Sequence, residues 1–333
     1  MAAADAVREA AAAVTRDTPP TWLYLAAMNT PEALYTAVAS IAARILPLVA
    51  AGTGKFSRAV RGMSSSVGGF EAWAAVDRDP ARPLVWFHAP SVGEGYQARA
   101  VMEALRALRP DIQTAYTFLS PSAEPFARTA PADVVGFLPL EKASHVSRMF
   151  EALMPSALVF TKTEVWPRFV LEAERRNVPT ALVSATLPSD SSRLRLPARL
   201  LLAPVHARLS RIAAISRDDA LRYASLTRDP DLVVVVGDPR FDQVARRASL
   251  VDRAHGVVTS LPGAKKATVV AGSTWAADEY RLVPGFAACL RDGIAARLIV
   301  APHEPTEAHL ARLEALLSAH ALHHARLGVV STS

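Results

Sequence analysis

The chain has 333 residues, 51% of them hydrophobic, enough for a sizeable core and about two domains. One cysteine, Cys289, excludes an internal disulfide, and no paired cysteine spacing points to zinc. The formal charge of +6 favours anionic partners: a membrane surface, a phosphorylated substrate or nucleic acid. The basic residues are mostly arginine and scattered, with no basic block interleaved with aromatics, so nucleic acid is not expected.

Residues 1–18 are alanine-rich and lack the basic start and apolar run of a secretory signal. An apolar run from Ala33 to Ala51 follows, interrupted by Arg44 and Pro47, with Lys55, Arg58 and Arg61 just after it. Spanning a bilayer takes roughly 20 apolar residues with few charges. The run is marginal by that measure and reads as a helix lying on an anionic leaflet. The alternative is an amphipathic helix packed on the globular part. Residues 1–54 are thus assigned to a tail and a membrane-associating helix.

From Leu84 onward, short apolar runs alternate with segments of helical spacing. The strand candidates are 84–89, 112–118, 134–138, 157–161, 180–185, 211–215 and 232–236. Helices are expected over 96–108, 142–153, 165–176 and 217–226. That alternation predicts a parallel sheet covered on both faces, giving a Rossmann-like domain over 55–247. Segment 248–266, with Pro262 and Gly263, reads as a linker. A second series over 267–333 has strands at 267–272 and 297–302, helices at 276–291 and 306–319, and a last fragment at 327–330. A doubly wound sheet normally has five or six strands, so this second domain is expected to be incomplete.

Ligands of such sheets bind beyond the carboxyl ends of the strands. After the first strand comes Pro90-Ser91-Val92-Gly93-Glu94-Gly95-Tyr96-Gln97-Ala98. The formal G-x-G-x-x-A match fails as a dinucleotide site, because Glu94 would place a carboxylate where pyrophosphate belongs. Glu94 suits the role of functional group: the helix dipole keeps it ionised, and Gly93 and Gly95 leave room for a bulky substrate. A helix-capping glutamate explains the same position equally well. Two further strand ends carry charge, Lys162 with Glu164 and Arg240 with Asp238 and Asp242. Lys162 and Arg240 either face the cleft of Glu94 or serve locally, Lys162 against Glu164 and Arg240 against Asp238 or Asp242. His303-Glu304 is not a zinc-protease motif, since position 307 is Glu.

Five ordered strings resemble the 3-deoxy-D-manno-octulosonic acid (Kdo) transferases of lipopolysaccharide synthesis. WFHAPSVGEGYQA resembles their S-V-G-E motif, TKTEVWP their E-T-E-L-W-P, and VVGDPRFDQV their G-N-L-K-F-D. AGSTWAADE resembles A-S-T-H-x-G-E-E, and IVAPHEP resembles L-V-P-R-H-P. The resemblance implies a GT-B-like α/β glycosyltransferase, with a complete N-terminal Rossmann-like domain for the acceptor and a partial C-terminal one for the donor. It implies transfer of Kdo from CMP-Kdo to a lipid A precursor with inversion, without a cofactor or metal, at the cytoplasmic face of the inner membrane. Glu94 matches the catalytic base, and Lys162 and Arg240 match positions that support the transition state. Ser91, Gly93 and Gly95 surround the base, while Ser273, Thr274, Pro302 and His303 match the nucleotide side. Lys for Glu at 162, Arg for Lys at 240 and His for Arg at 303 depart from the common pattern together, as in a variant subgroup. No counterpart of the family's H-N-x-L-E-P segment is found, so the chain by itself is expected not to turn over CMP-Kdo. The competing reading is a non-catalytic, membrane-associated module that binds the acceptor.

Overall fold

A computed structural model describes residues 30–227, 229–251 and 267–326. The alanine-rich start, most of the expected linker and the fragment at 327–330 lie outside them. The chain divides into two compact units, residues 1–249 and 250–333.

The first unit opens with α1 (Thr30–Val49) and α2 (Lys55–Asp77). Then β1 (Leu84–His88), α3 (Val92–Leu108), β2 (Gln113–Phe118), α4 (Glu124–Ala127) and β3 (Val134–Phe137) alternate. They are followed by α5 (Ala143–Leu153), β4 (Ala157–Thr161), α6 (Pro167–Arg175) and β5 (Thr180–Ala185). The unit ends with α7 (Ala198–His206), β6 (Arg211–Ala214), α8 (Arg217–Ala224), β7 (Val233–Val235) and α9 (Pro239–Ser249). The seven strands form one parallel sheet in the order β3-β2-β1-β4-β5-β6-β7. Strands β2, β4 and β5 are buried along their whole length, as the unbroken apolar runs require of a sheet covered on both faces.

Alternation along β1 feeds two cores. Leu84 and Trp86 join Phe150, Phe160 and Phe169 on one face, where both Phe150 and Phe169 meet the indole edge-on at 5.5 Å. Phe87 joins Val101, Met102 and Tyr116 under α3 on the other.

The second unit carries β8 (Ala267–Thr274), α10 (Ala276–Arg291), β9 (Ala296–Pro302) and α11 (Glu307–Ala319). Strands β8 and β9 pair in parallel in a two-stranded sheet. The fold class is therefore the one read from the sequence: a full Rossmann-like sheet followed by a second, partial one.

Helix α1 meets the first unit with its polar and small residues. Tyr35 donates to Glu141, and the Arg168 guanidinium donates to the Thr36 carbonyl and the Ser40 hydroxyl, both at 2.7 Å. Glu141 is buried and also accepts the Arg168 backbone N–H at 3.1 Å. Leu34, Val38, Ile41, Ile45 and Leu48 stay exposed on the outward side. No described helix is long and apolar enough to cross a membrane.

Helix α2, whose start carries the cationic stretch, packs against β3. A side chain built at Gly62 would meet the Phe137 ring at 2.4 Å. Gly62→Ala is expected to lower the stability of the unit by about 1–3 kcal/mol through overpacking, measured by urea denaturation.

Candidate functional site

The sheet order reverses direction between β1 and β4, and such a switch point opens a crevice beyond the carboxyl ends of the two strands. Both strands end there in groups that carry charge. After β1 the chain extends through Ser91, the N-cap of α3, and Glu94 sits in the first helical turn. After β4 comes Lys162, whose φ of 68° lies in the left-handed region. For a residue with a side chain that conformation costs roughly 1–2 kcal/mol. Lys162 Nζ stands 2.9 Å from Glu94 Oε1, and the Ser91 hydroxyl donates to Oε2. The Glu94 side chain is 15% exposed and that of Lys162 43%, so the pair faces the solvent side of the crevice.

Burial pushes the Glu94 carboxyl up, but the Ser91 hydroxyl, the Lys162 ammonium and the residue's own backbone N–H outweigh it. The net result lies below the ordinary value, so Glu94 is ionised at neutral pH. As an acceptor-only carboxylate it is suited to take a proton from a substrate hydroxyl.

Other expected site residues fall differently. Gly93 faces open space, with only Ser91 Oγ near, at 3.8 Å. Gly95 does not make room for a substrate: a side chain there would meet Phe126 at 2.6 Å and the Tyr116 hydroxyl at 2.9 Å. It is glycine because α3 lies directly on those rings. Lys162 does not pair with its sequence neighbour Glu164, which meets Arg193 at 3.3 Å. Arg240 is held by Asp238, with Nη2 at 2.6 Å and Nε at 2.7 Å from Oδ2, and its side chain is 61% exposed. Of the three expected catalytic side chains, two meet and the third is engaged locally.

His88 was missed. It is the last residue of β1 and is fully buried, and burial pushes its pKa down to about 3, so it is neutral. Its Nδ1 is 3.1 Å from the Thr117 carbonyl, which only accepts, so Nδ1 carries the hydrogen. The signal in the sequence was a histidine inside an otherwise apolar strand.

In the second unit, the ends of β8 and β9 bring the remaining expected residues together. Ser273 Oγ lies 2.7 Å from His303 Nδ1, and the His303 N–H donates to the Thr274 carbonyl at 2.9 Å. The His303 ring stacks on Trp275 at 4.6 Å, and Pro302 closes β9. The Thr274 hydroxyl is buried and donates to Glu279 at 2.8 Å; Glu279 in turn meets His309 at 2.9 Å. Thr274 therefore serves the interior, and Ser273 and His303 hold the exposed rim. The buried Glu279–His309 pair is not legible in the sequence, because its partners stand 30 residues apart on α10 and α11 with β9 between them.

A carboxyl held below its ordinary value stabilises the fold above that value, and the contribution is lost as pH falls through the folded midpoint. Glu94→Gln should therefore be less stable than the parent at neutral pH. The difference should shrink as pH drops below 4.5, which thermal denaturation against pH would read.

Comparison with known proteins shows the family and the fold. Residues 69–243 match the model of the 3-deoxy-D-manno-octulosonic-acid transferase (kdotransferase) family. A probable mitochondrial 3-deoxy-D-manno-octulosonic acid transferase of Arabidopsis thaliana is 29% identical over 167 residues, 49% of this chain and 37% of that protein. The 3-deoxy-D-manno-octulosonic acid transferase of Haemophilus influenzae is 24% identical over 160 residues, 47% of this chain and 38% of that protein. The matched stretch thus spans well under half of either relative. Among solved structures, the UDP-GlcNAc 2-epimerase of Neisseria meningitidis superposes with a TM-score of 0.54 at 13% identity, over 75% of this chain and 74% of that one. That of Methanocaldococcus jannaschii gives 0.53 at 12%, over 74% and 75%. At such identity the likeness concerns the fold alone. The family match covers more than half of the chain, including both members of the Glu94–Lys162 pair, and on that ground the chain belongs to the Kdo transferase family.

Proposed function

We propose that this chain carries the acceptor-side domain and part of the donor side of an enzyme that transfers Kdo from CMP-Kdo to a hydroxyl of a lipid A precursor. The observation that carries the reading is the placement of the Glu94 carboxyl at the switch-point crevice, 2.9 Å from Lys162 Nζ. In this reaction the Glu94 carboxylate takes the acceptor hydroxyl proton while that oxygen bonds to the anomeric carbon. The bond to the CMP phosphate breaks, the nucleotide leaves with the electron pair, and the configuration inverts. Lys162 offsets negative charge near the reacting centre. Arg240, exposed in the first turn of α9, can exchange Asp238 for a phosphate or carboxylate of a bound substrate. Residues 267–326 supply Ser273, Pro302 and His303 toward the nucleotide, with Thr274 fixing the strand end behind them.

The acceptor is a lipid, and α1 fits that. The exposed side chains of Leu34, Val38, Ile41, Ile45 and Leu48 lie on one outward stripe, and the exposed Lys55, Arg58 and Arg61 follow at the start of α2. An apolar stripe beside cations suits the surface of an anionic leaflet, with the helix lying flat.

Two measurements test the proposal. In a protein with the full donor domain, Glu94→Gln should reduce Kdo transfer by roughly 10²–10⁴-fold with the fold retained; near-normal turnover would remove Glu94 as the base. For the membrane surface, replacing Leu34, Ile41 and Ile45 by serine should weaken co-sedimentation with anionic vesicles more than about tenfold, since each buried side chain contributes roughly 1.5–3 kcal/mol. Unchanged co-sedimentation would sink the role of the stripe.

A further inference from the structure

Lys162 needs an external restraint. A lysine in the left-handed region relaxes to an extended conformation unless its neighbours prevent it. Its N–H continues the β4–β5 ladder, donating to the Val183 carbonyl at 2.9 Å. Its carbonyl is turned away from the ladder and accepts from Thr186 N–H at a long 3.3 Å. The same carbonyl lies 3.1 Å from the hydroxyl of Tyr223, which also lies 3.2 Å from the Thr186 carbonyl. Both groups are acceptors only, so the phenol is the donor and its single hydrogen is shared between them.

Tyr223 is built to stay there. It stands near the end of α8, is 1% exposed, and packs into the core that holds Trp86 and Phe169, on the face of the sheet opposite to α3. Its ring lies 5.7 Å from that of His206. One turn earlier, Asp219 accepts the Leu187 N–H at 2.7 Å and is fixed by the N-cap Ser216. Helix α8 thus grips the ends of β4 and β5 from behind, with Tyr223 on Lys162 and Thr186, and Asp219 on Leu187. A phenylalanine would fill the same core space, so packing alone does not ask for the hydroxyl.

We infer that Tyr223 is a positioning residue: through its hydrogen bond to the Lys162 carbonyl it holds residue 162 left-handed and so aims the ammonium at Glu94. This rests on the reading of Glu94 and Lys162 as the working pair. The direction of Cα–Cβ at residue 162 follows from its φ, and an extended residue there would send the side chain elsewhere. Tyr223 never meets the crevice, so it acts only through Lys162.

The test reads the ionisation of Glu94 in the chain itself, with no need for turnover. Glutamate carboxyl carbons are labelled with carbon-13, the Glu94 signal is assigned by its loss in Glu94→Gln, and its midpoint is followed by NMR. Lys162→Met should raise the midpoint, because an attracting charge is removed. Tyr223→Phe should raise it in the same direction by a substantial part of that shift. Leu153→Ala, in the same core but before the start of β4, at the opposite end of that strand from Lys162, should lower stability and leave the midpoint in place. If Tyr223→Phe does not fold, the α-hydroxy analogue of threonine at Thr163 converts the bond after Lys162 to an ester. That weakens the same carbonyl as an acceptor with the phenol intact, and the midpoint should again rise. A Glu94 midpoint that moves in Lys162→Met but in neither Tyr223→Phe nor the ester overturns the inference and spares the pair. A midpoint that moves in none of them overturns both.

Discussion

The pairing of β1 with β4 is the constraint on which the site depends. The chain builds outward from β1 in one direction through β2 and β3, then returns to lay β4 on the other side of β1. The connections therefore leave the carboxyl ends of β1 and β4 in opposite directions, which is what opens a crevice at a switch point. Glu94 and Lys162, 68 residues apart in sequence, become neighbours through this pairing. An ion pair as exposed as this one contributes at most about 1 kcal/mol. It cannot hold the sheet together; the apolar contacts of Trp86, Phe150, Phe160 and Phe169 do that, and the pair is their product.

A well-packed sheet can hold local arrangements that no isolated segment would keep. The left-handed Lys162, the neutral His88 at the end of β1 and the buried Glu279–His309 pair are all costly taken alone. Lys162 and His88 lie at or next to the carboxyl end of a parallel strand, and Glu279 holds such an end through the Thr274 hydroxyl. At those ends the ladder stops and the backbone must turn, so side chains rather than neighbouring strands satisfy the remaining polar groups. The same termination that exposes functional side chains creates the need for groups such as Tyr223 and Thr117 behind them.

The strands were legible because burial on both faces leaves unbroken apolar runs, and their boundaries moved by only a residue or so. Helix α2 was not, for a physical reason. Its middle reads Gly62, Met63, Ser64, Ser65, Ser66, Val67, Gly68, Gly69, a poor helix former by intrinsic preference. Packing of Val60, Val67 and Phe70 on the sheet overrides that preference, and the hydroxyls of Ser64 and Ser65 bond back to carbonyls one turn earlier. At the site, Glu94 could be singled out from its place after a strand and before a helix. The partner of Lys162 was ambiguous, because sequence distance favours Glu164 and only the strand order decides for Glu94. Gly95 was open to misreading for a related reason: a glycine announces a close approach but not from which side. Here the approach is by Phe126, on a helix of four residues too short to be expected.

Helix α1 inverts the usual relation between a helix and its domain. Ordinarily the apolar stripe faces the core and the polar side faces water. Here Tyr35, Thr36 and Ser40 face Arg168 and Glu141, Ala43 is buried, and the large aliphatic side chains point away. Hydrophobic attraction to the domain would turn the helix the other way, so something must oppose it. The opposing term is Glu141, whose buried carboxylate needs the Tyr35 hydroxyl as a donor beside the Arg168 N–H. A rotation that brought Leu34 and Ile41 inward would leave Glu141 and Arg168 short of partners in a buried setting, at a cost of several kcal/mol. The rotation of α1 is thus set by directional polar contacts, and the outward stripe is a fixed feature of the fold.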